Sequence, residues 1–171
     1  MSGMSKDRVI EQPSTKDGCE LWRIARDSRV LDLNSSYAYL LWCRDFAGTS
    51  LVARVDGRVV GFVIGFTRPT EPGTVVVWQI AVDADQRGQG LAAALLDELA
   101  AALAPRGVRT VETTISPDNA ASIALFTAFA RRHRTDIDRA ELFGADHFPD
   151  EHEAEDLYRI GPLDTRVPAS A

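Results

Sequence analysis

The stretch from Val76 to Leu96 constrains this chain more than any other. Val76-Val77-Trp78-Gln79-Ile80-Ala81-Val82 is uncharged and mostly apolar, Asp83-Ala84-Asp85-Gln86 is a short polar turn, and Arg87-Gly88-Gln89-Gly90 leads into Leu91-Ala92-Ala93-Ala94-Leu95-Leu96. The apolar run reads as a buried strand, and the alanine-leucine run is dense in strong helix formers. A strand, a glycine loop and a helix start together make an anion site. The first helical N–H groups have no partner within the helix, and the helix dipole favours negative charge there. Gly88 and Gly90 lack a Cβ, so a phosphate can approach the backbone. The stretch predicts a phosphate-bearing ligand.

Two patterns fit the loop. Gly88-x-Gly90-x-x-Ala93 satisfies the dinucleotide fingerprint, with Glu112 about 20 residues on, where an acidic ribose ligand is expected. Arg87-x-x-Gly90-x-Ala92 instead resembles the pyrophosphate loop of the GCN5-related N-acetyltransferases (GNAT), which bind acetyl-CoA. The residues after the cofactor helix separate the two patterns. Arg109 to Ile115 alternates like a strand, Ser116-Pro117-Asp118-Asn119 turns the chain, and Ala120 to Phe129 reads as helix. The acetyltransferase family has a second block of this kind, and Asn119, Ser122, Leu125-Phe126 and Phe129 match it. A dinucleotide fold needs further βα units, and only about forty residues remain after this helix.

In chain order, Val9-Ile10 begins a first strand ended by Pro13. Asp17 with Glu20 resembles a capping box opening a helix through Leu21, Trp22, Ile24 and Ala25. Asn34 or Ser35 caps a second helix from Ser36 to Phe46. Ser50 to Val55 and Val59 to Phe66 are strands joined at Asp56-Gly57, a strong hairpin signal. Thr67 to Gly73, with Pro69 and Pro72, is expected to be a loop before the central strand. The cofactor helix runs from Leu91 to Ala104 and stops at Pro105-Arg106-Gly107. The order of elements reads as α+β, a mostly antiparallel sheet with one parallel pair across the cofactor helix. This is the GNAT order, in which helices flank a mixed sheet that is splayed at the acetyl-CoA site.

The 171 residues suit one domain, with a core over about 8–161 and loose tails at 1–7 and 162–171. No apolar run is long enough to span a membrane, and no secretory signal core precedes residue 10, so a cytoplasmic protein is expected. A net charge of −6 with no basic stripe argues against nucleic-acid binding. Cys19 and Cys43 read as small buried side chains, too few for a zinc site; no metal is expected. His133 and His147 read as surface groups.

Several blocks resemble the diaminobutyrate acetyltransferases within the GNAT family: Leu31-Asp32-Leu33-Asn34-Ser35-Ser36-Tyr37-x-Tyr39-Leu40-Leu41, Phe46 to Ser50, Val77 to Val82, Val111 to Thr114 and Leu157 to Ile160. That resemblance implies acetyl transfer from acetyl-CoA to the side-chain (N4) amine of a small diamino acid, a step of ectoine synthesis, by a homodimer. It implies that the backbone of Ile80 and Val82 binds the pantetheine arm, and that Arg87, Gly88, Gln89, Gly90, Leu91 and Ala92 cradle the pyrophosphate. Asn119 would touch the pantetheine arm, and Phe126 would border the cofactor.

The chemistry needs no nucleophilic side chain, because the amine attacks the thioester itself. An amine of pKa ~10 is mostly ammonium at neutral pH and needs a base; His152, Glu153 and Glu155 are candidates. Many relatives place a tyrosine where Phe126 stands, as the acid for the departing thiolate. Phe126 cannot donate: either the thiolate leaves unassisted, which its modest basicity allows, or another group serves, with Tyr37, Tyr39 and Tyr158 as candidates and Tyr39 among the catalytic candidates. For the substrate, Asp32, Tyr37, Glu155 and the acidic run Asp150 to Asp156 are candidates, since carboxylates pair with ammonium groups. Trp78 is either a sheet-core aromatic or a wall of the substrate cleft. Two other readings share the fold: a protein N-terminal or lysine acetyltransferase, and a non-catalytic acyl-CoA sensor, the latter favoured only by Phe126.

Overall fold

The computed structural model describes residues 7–164. Seven strands and four α-helices follow one another as β1 (Arg8–Glu11), α1 (Gly18–Ser28), α2 (Ser36–Asp45), β2 (Leu51–Val55), β3 (Arg58–Arg68), β4 (Glu71–Val82), α3 (Leu91–Leu103), β5 (Thr110–Ile115), α4 (Ala120–Arg132), β6 (Asp136–Phe143) and β7 (Glu155–Gly161). The sheet order is β1-β2-β3-β4-β5-β7-β6. β4 and β5 are parallel, with Val75 opposite Val111, whereas β1–β2, β2–β3, β5–β7 and β6–β7 are antiparallel. The mixed sheet expected from the order of elements is therefore present.

The contacts group into two compact units interleaved along the chain. One comprises the chain through Phe66 together with Gln79–Leu99; the other comprises Thr67–Trp78 and the residues from Ala100 onward. β3, β4 and α3 each contribute to both.

In the first unit α1 buries Leu21, Ile24 and Ala25, one helical face at i, i+3 and i+4 spacing. They join Tyr39 and Cys43 of α2 and Phe62 of β3 in a single apolar cluster. The turn at Asp56-Gly57 carries positive φ at both residues (50° and 80°), the conformation a two-residue hairpin requires. The helix start differs from expectation. Asp17 is not the cap of a box with Glu20; it is the third residue of a box opened by Ser14, whose N–H donates to Asp17 Oδ2 at 2.8 Å. The same carboxylate receives Arg54 Nη2 at 2.9 Å. Burial alone would raise the Asp17 carboxyl, and the Arg54 guanidinium and the Ser14 N–H outweigh it and hold it below its usual value.

In the second unit Val75, Val111, Phe129 and Ile160 are buried. Glu112, weighed in the dinucleotide reading as a ribose ligand, is also buried and receives Arg68 Nη1 at 3.0 Å and the Arg159 guanidinium. The dinucleotide reading leaves it no role here, because its carboxylate serves as the centre of a strand-to-strand ion pair. The expected loop from Thr67 to Gly73 is only the turn Pro69-Thr70; β3 runs to Arg68 and β4 begins at Glu71. Gly73 O accepts Arg109 N at 2.8 Å, so local backbone bonding extends past the two prolines that suggested a loop.

Residues 1–6 and 165–171 of the expected loose tails lie outside the described residues. The described parts of the tails are held. Asp56 N donates to Asp7 O at 2.9 Å, and buried Leu163 donates its N–H to Arg109 O at 2.7 Å. Cys43 is buried and its thiol is pushed up to about 12 by burial, whereas Cys19 is exposed, contrary to expectation, because it lies off the buried face of α1. His133 packs on Phe129, with ring centroids 4.3 Å apart, and is half-buried rather than a plain surface group; His147 is exposed. No helix among the described residues is long and apolar enough to cross a membrane. No group of three or more His, Cys, Asp or Glu there is arranged to hold a metal.

Candidate active site

β4 ends at Val82, and Asp83 turns the chain by donating its N–H to Val60 O at 2.7 Å. A short 3-10 turn, Ala84–Gln86, comes next, and the chain then reaches Arg87 to Gly90 and the first residue of α3. Gly88 and Gly90 have φ of 76° and 73°, left-handed values that favour glycine. A Cβ at either would meet no atom within 4 Å, so open space lies against this loop. α3's first intrahelical bond there runs from Ala94 N to Gly90 O at 3.0 Å, which leaves the N–H groups of the first turn without carbonyls of the helix itself. Open space, left-handed glycines and a helix N-terminus together fit a pyrophosphate.

Asp83 is the residue that sequence reasoning missed. It is buried, and Arg23 of α1 reaches it with two nitrogens at 2.9 and 3.1 Å, while Arg58 approaches at 3.4 Å. The Asp83 carboxylate, ahead of Glu20, raises the proton affinity of Arg23, which is therefore charged throughout the accessible pH range. This clamp ties the loop base to α1 beside a cleft of about 260 Å³ lined by Arg23, Asp27, Arg58, Asp85 and Arg87. The only sequence signal was an aspartate directly after an apolar strand.

The same unit holds Asp32, Tyr37 and Tyr39. Asp32 and Tyr37 are exposed, and Ser35 caps α2 by accepting Ala38 N at 3.3 Å. Tyr39 is 0% exposed, and its hydroxyl donates to Gln79 Oε1 at 2.9 Å. Burial raises its proton affinity, against the opposing influence of Asn34 and Gln79. The structure thus removes Tyr39 from the acid candidates, because its proton is committed to a core hydrogen bond. Ile80 and Val82 are half-buried on β4.

In the second unit Trp78 is 52% exposed, which rules out the sheet-core reading. Asn119 caps α4, its Oδ1 accepting Ser122 N at 3.1 Å; the spacing of the second block has this local cause. Phe126 is buried in α4. Tyr158 is buried on β7 with the Arg139 guanidinium 6.0 Å from its ring. Of the acidic run, Asp156 is buried and taken by Arg139 Nε at 2.8 Å, so it is unavailable to a ligand. Glu153 is exposed, and the Asp118 carboxyl, by hydrogen bond and like charge, pushes its proton affinity up. His152 stacks on Phe148 at 4.1 Å, with Nδ1 2.7 Å from Glu153 O. If Nδ1 carries the proton to that carbonyl, Nε2 is the basic nitrogen. Glu155 is half-buried at the start of β7.

Residues 17–130 match the family model described as Acetyltransferase (GNAT) family. An L-2,4-diaminobutyric acid acetyltransferase from Nocardia farcinica is 59% identical over 155 residues, covering 91% of this chain and 80% of that protein. One of the same description from Marinococcus halophilus is 44% identical over 91% of this chain and 90% of its own. Among solved structures, the diaminobutyrate acetyltransferase EctA from Paenibacillus lautus, in complex with its substrate L-2,4-diaminobutyric acid and coenzyme A, superposes with a TM-score of 0.89. It is 39% identical and covers 96% of this chain and 100% of its own. The ribosomal-protein-S18-alanine N-acetyltransferase from Escherichia coli shares the fold at TM-score 0.68 and 23% identity, covering 92% of this chain and 96% of its own.

Proposed function

The chain belongs to the acetyltransferase (GNAT) family, and from that premise we propose that it transfers acetyl from acetyl-CoA to the N4 amine of L-2,4-diaminobutyrate. The observation that carries this reading is identity of 59% across nearly the whole chain to a diaminobutyrate acetyltransferase, alongside the likeness to a structure that holds both diaminobutyrate and coenzyme A. The likeness to the ribosomal-protein acetyltransferase, at 23% identity, extends to the fold alone. The product, N4-acetyl-diaminobutyrate, would feed ectoine synthesis and salt tolerance, and the reaction would run in the cytoplasm, where acetyl-CoA is made.

In this reading the Arg87 to Ala92 loop holds the pyrophosphate through backbone N–H groups and the Arg87 charge. Backbone groups of Ile80 and Val82, with Asn119, hold the pantetheine arm, and Phe126 backs the cofactor from the core. Backbone N–H groups aimed at the thioester oxygen stabilise the oxyanion as the amine attacks. Asp32, Tyr37, Trp78 and Glu155 bind the diamino acid. The base is His152 or Glu153, and the Asp118 carboxyl beside Glu153 raises its proton affinity, which makes it a stronger base than an isolated carboxylate. Phe126 offers no proton, so the thiolate departs on its own modest basicity.

The test is thiol release from acetyl-CoA with diaminobutyrate, ornithine, lysine and short peptides, with the product assigned by NMR. Diaminobutyrate should be preferred and the N4-acetyl isomer formed. Faster turnover of peptides, or mainly α-acetylation, would overturn the reading.

We further propose a homodimer. β6 is the terminal strand of the sheet order, exposed over nearly its whole length, and presents Leu142 and Phe143 at 40% and 45% exposure. Such an edge is a surface that a second copy would cover. A monomeric mass by analytical ultracentrifugation would exclude it.

A further inference from the structure

Gln79 is a buried amide to which the reaction scheme gives no role. It lies between Trp78 and Ile80 on β4 and is 5% exposed, its side chain on the strand face opposite theirs. Both ends of its amide are used. Nε2 donates to the main-chain carbonyl of Asp32 at 2.7 Å, and Oε1 accepts from Tyr39 at 2.9 Å. The chemistry fixes this orientation, since a carbonyl only accepts and must face the NH₂; the oxygen then faces Tyr39, which must donate.

The segment Asp32 to Ser35 belongs to neither helix nor strand, so its conformation depends on such bonds. Asn34 lies beside the Tyr39 hydroxyl, where its main chain and side chain both favour the charged form of the phenol. The Gln79 amide thus ties the Asp32 main chain to the central strand.

We propose that Gln79 is a positioning residue: by holding the Asp32 main chain it presents the Asp32 carboxylate to the α-ammonium of the substrate, and so sets selectivity for a 2,4-diamino acid over a monoamine. This rests on the substrate reading proposed for Asp32. A donor-acceptor side chain is needed at this site. Methionine has similar length but cannot donate, and a shorter amide cannot span from Tyr39 to Asp32.

The experiment compares diaminobutyrate with 4-aminobutyrate, which carries the same reacting amine without the α-ammonium. In Gln79→Met the KM for diaminobutyrate should rise, and the ratio of kcat/KM for the two substrates fall, by about tenfold, the scale of one lost hydrogen bond. The KM for acetyl-CoA and turnover of 4-aminobutyrate should stay as in the parent. Tyr39→Phe keeps the bond to Asp32 and should keep the ratio. An equal loss on both substrates, or an unchanged ratio in Gln79→Met, would show a merely structural role and overturn the proposal. Should Gln79→Met fail to fold because the Tyr39 hydroxyl is orphaned, the double variant Tyr39→Phe/Gln79→Met removes that hydroxyl and carries the same expectation. If the double variant also fails to fold, Gln79 is a folding residue and the proposal is wrong. A parent enzyme that does not acetylate diaminobutyrate at all would instead strike the functional reading.

Discussion

Asp32→Ala should lower kcat/KM for diaminobutyrate by about ten- to a hundredfold, the worth of one hydrogen bond to a charged group, while coenzyme A affinity is kept. Diaminobutyrate carries two ammonium groups and one carboxylate. Holding the α-ammonium at one end points the side-chain amine at the thioester, the near-attack geometry on which the rate depends. Asp32 is exposed in the unliganded chain, so its carboxylate is hydrated before the substrate arrives. Charges exposed to water are screened, so the larger cost of breaking a buried pair does not apply to it. Residues Arg87 to Ala92, proposed to hold the pyrophosphate, are remote in sequence from Asp32, and their backbone conformation is set by Gly88 and Gly90. Steady-state kinetics with calorimetry of coenzyme A binding reads both quantities. Activity equal to the parent, or an equal fall with 4-aminobutyrate, would remove Asp32 from the substrate site.

Asp83→Ala should lower the melting temperature by several degrees, from a loss of about 2–3 kcal/mol, with a Tm sensitivity of roughly 2–4 °C per kcal/mol for a chain of this size. The Asp83 side chain is 8% exposed and that of Arg23 22%, so this pair is more shielded than a surface ion pair. Removing the carboxylate deletes two short charged bonds and leaves the Arg23 guanidinium charged. The full cost of an orphaned buried charge is not reached, because Glu20 remains 2.9 Å from Arg23 and Asp27 3.8 Å away. Arg58 loses only a 3.4 Å contact from an exposed position. The loop base should loosen as well, so coenzyme A affinity should fall several-fold. Differential scanning calorimetry decides the first point: a shift under about 1 °C would mean that solvent screens the pair as it does a surface one.

The elements whose causes are local were legible in the sequence. Asp56-Gly57 makes its hairpin because those two residues tolerate positive φ. Gly88 and Gly90 shape the loop before α3 for the same reason, and the alanine-leucine run after them is helical by propensity and burial. The family resemblance, carried by the loop and the Asn119 block, named the ligand class that these local features only outlined. Errors came where a local signal met a competing partner. Pro69 and Pro72 suggested a loop, yet the strands run to within two residues of each other. Asp17 and Glu20 had box spacing, yet Asp17 bonds backward to Ser14 and across to Arg54.

By itself, then, the sequence determined the strand-loop-helix arrangement and the α+β order, because each depends on backbone conformation or on residues within one short stretch; the kind of chemistry came from the family resemblance. Only the tertiary structure decided which polar side chains are used up internally. Tyr39 and Gln79 are 40 residues apart in the chain, Asp32 and Gln79 47, and Arg23 and Asp83 60. No local pattern registers such pairs. Burial fixes their hydrogen bonds, since a polar group shut away from water must find its partner wherever the fold brings one.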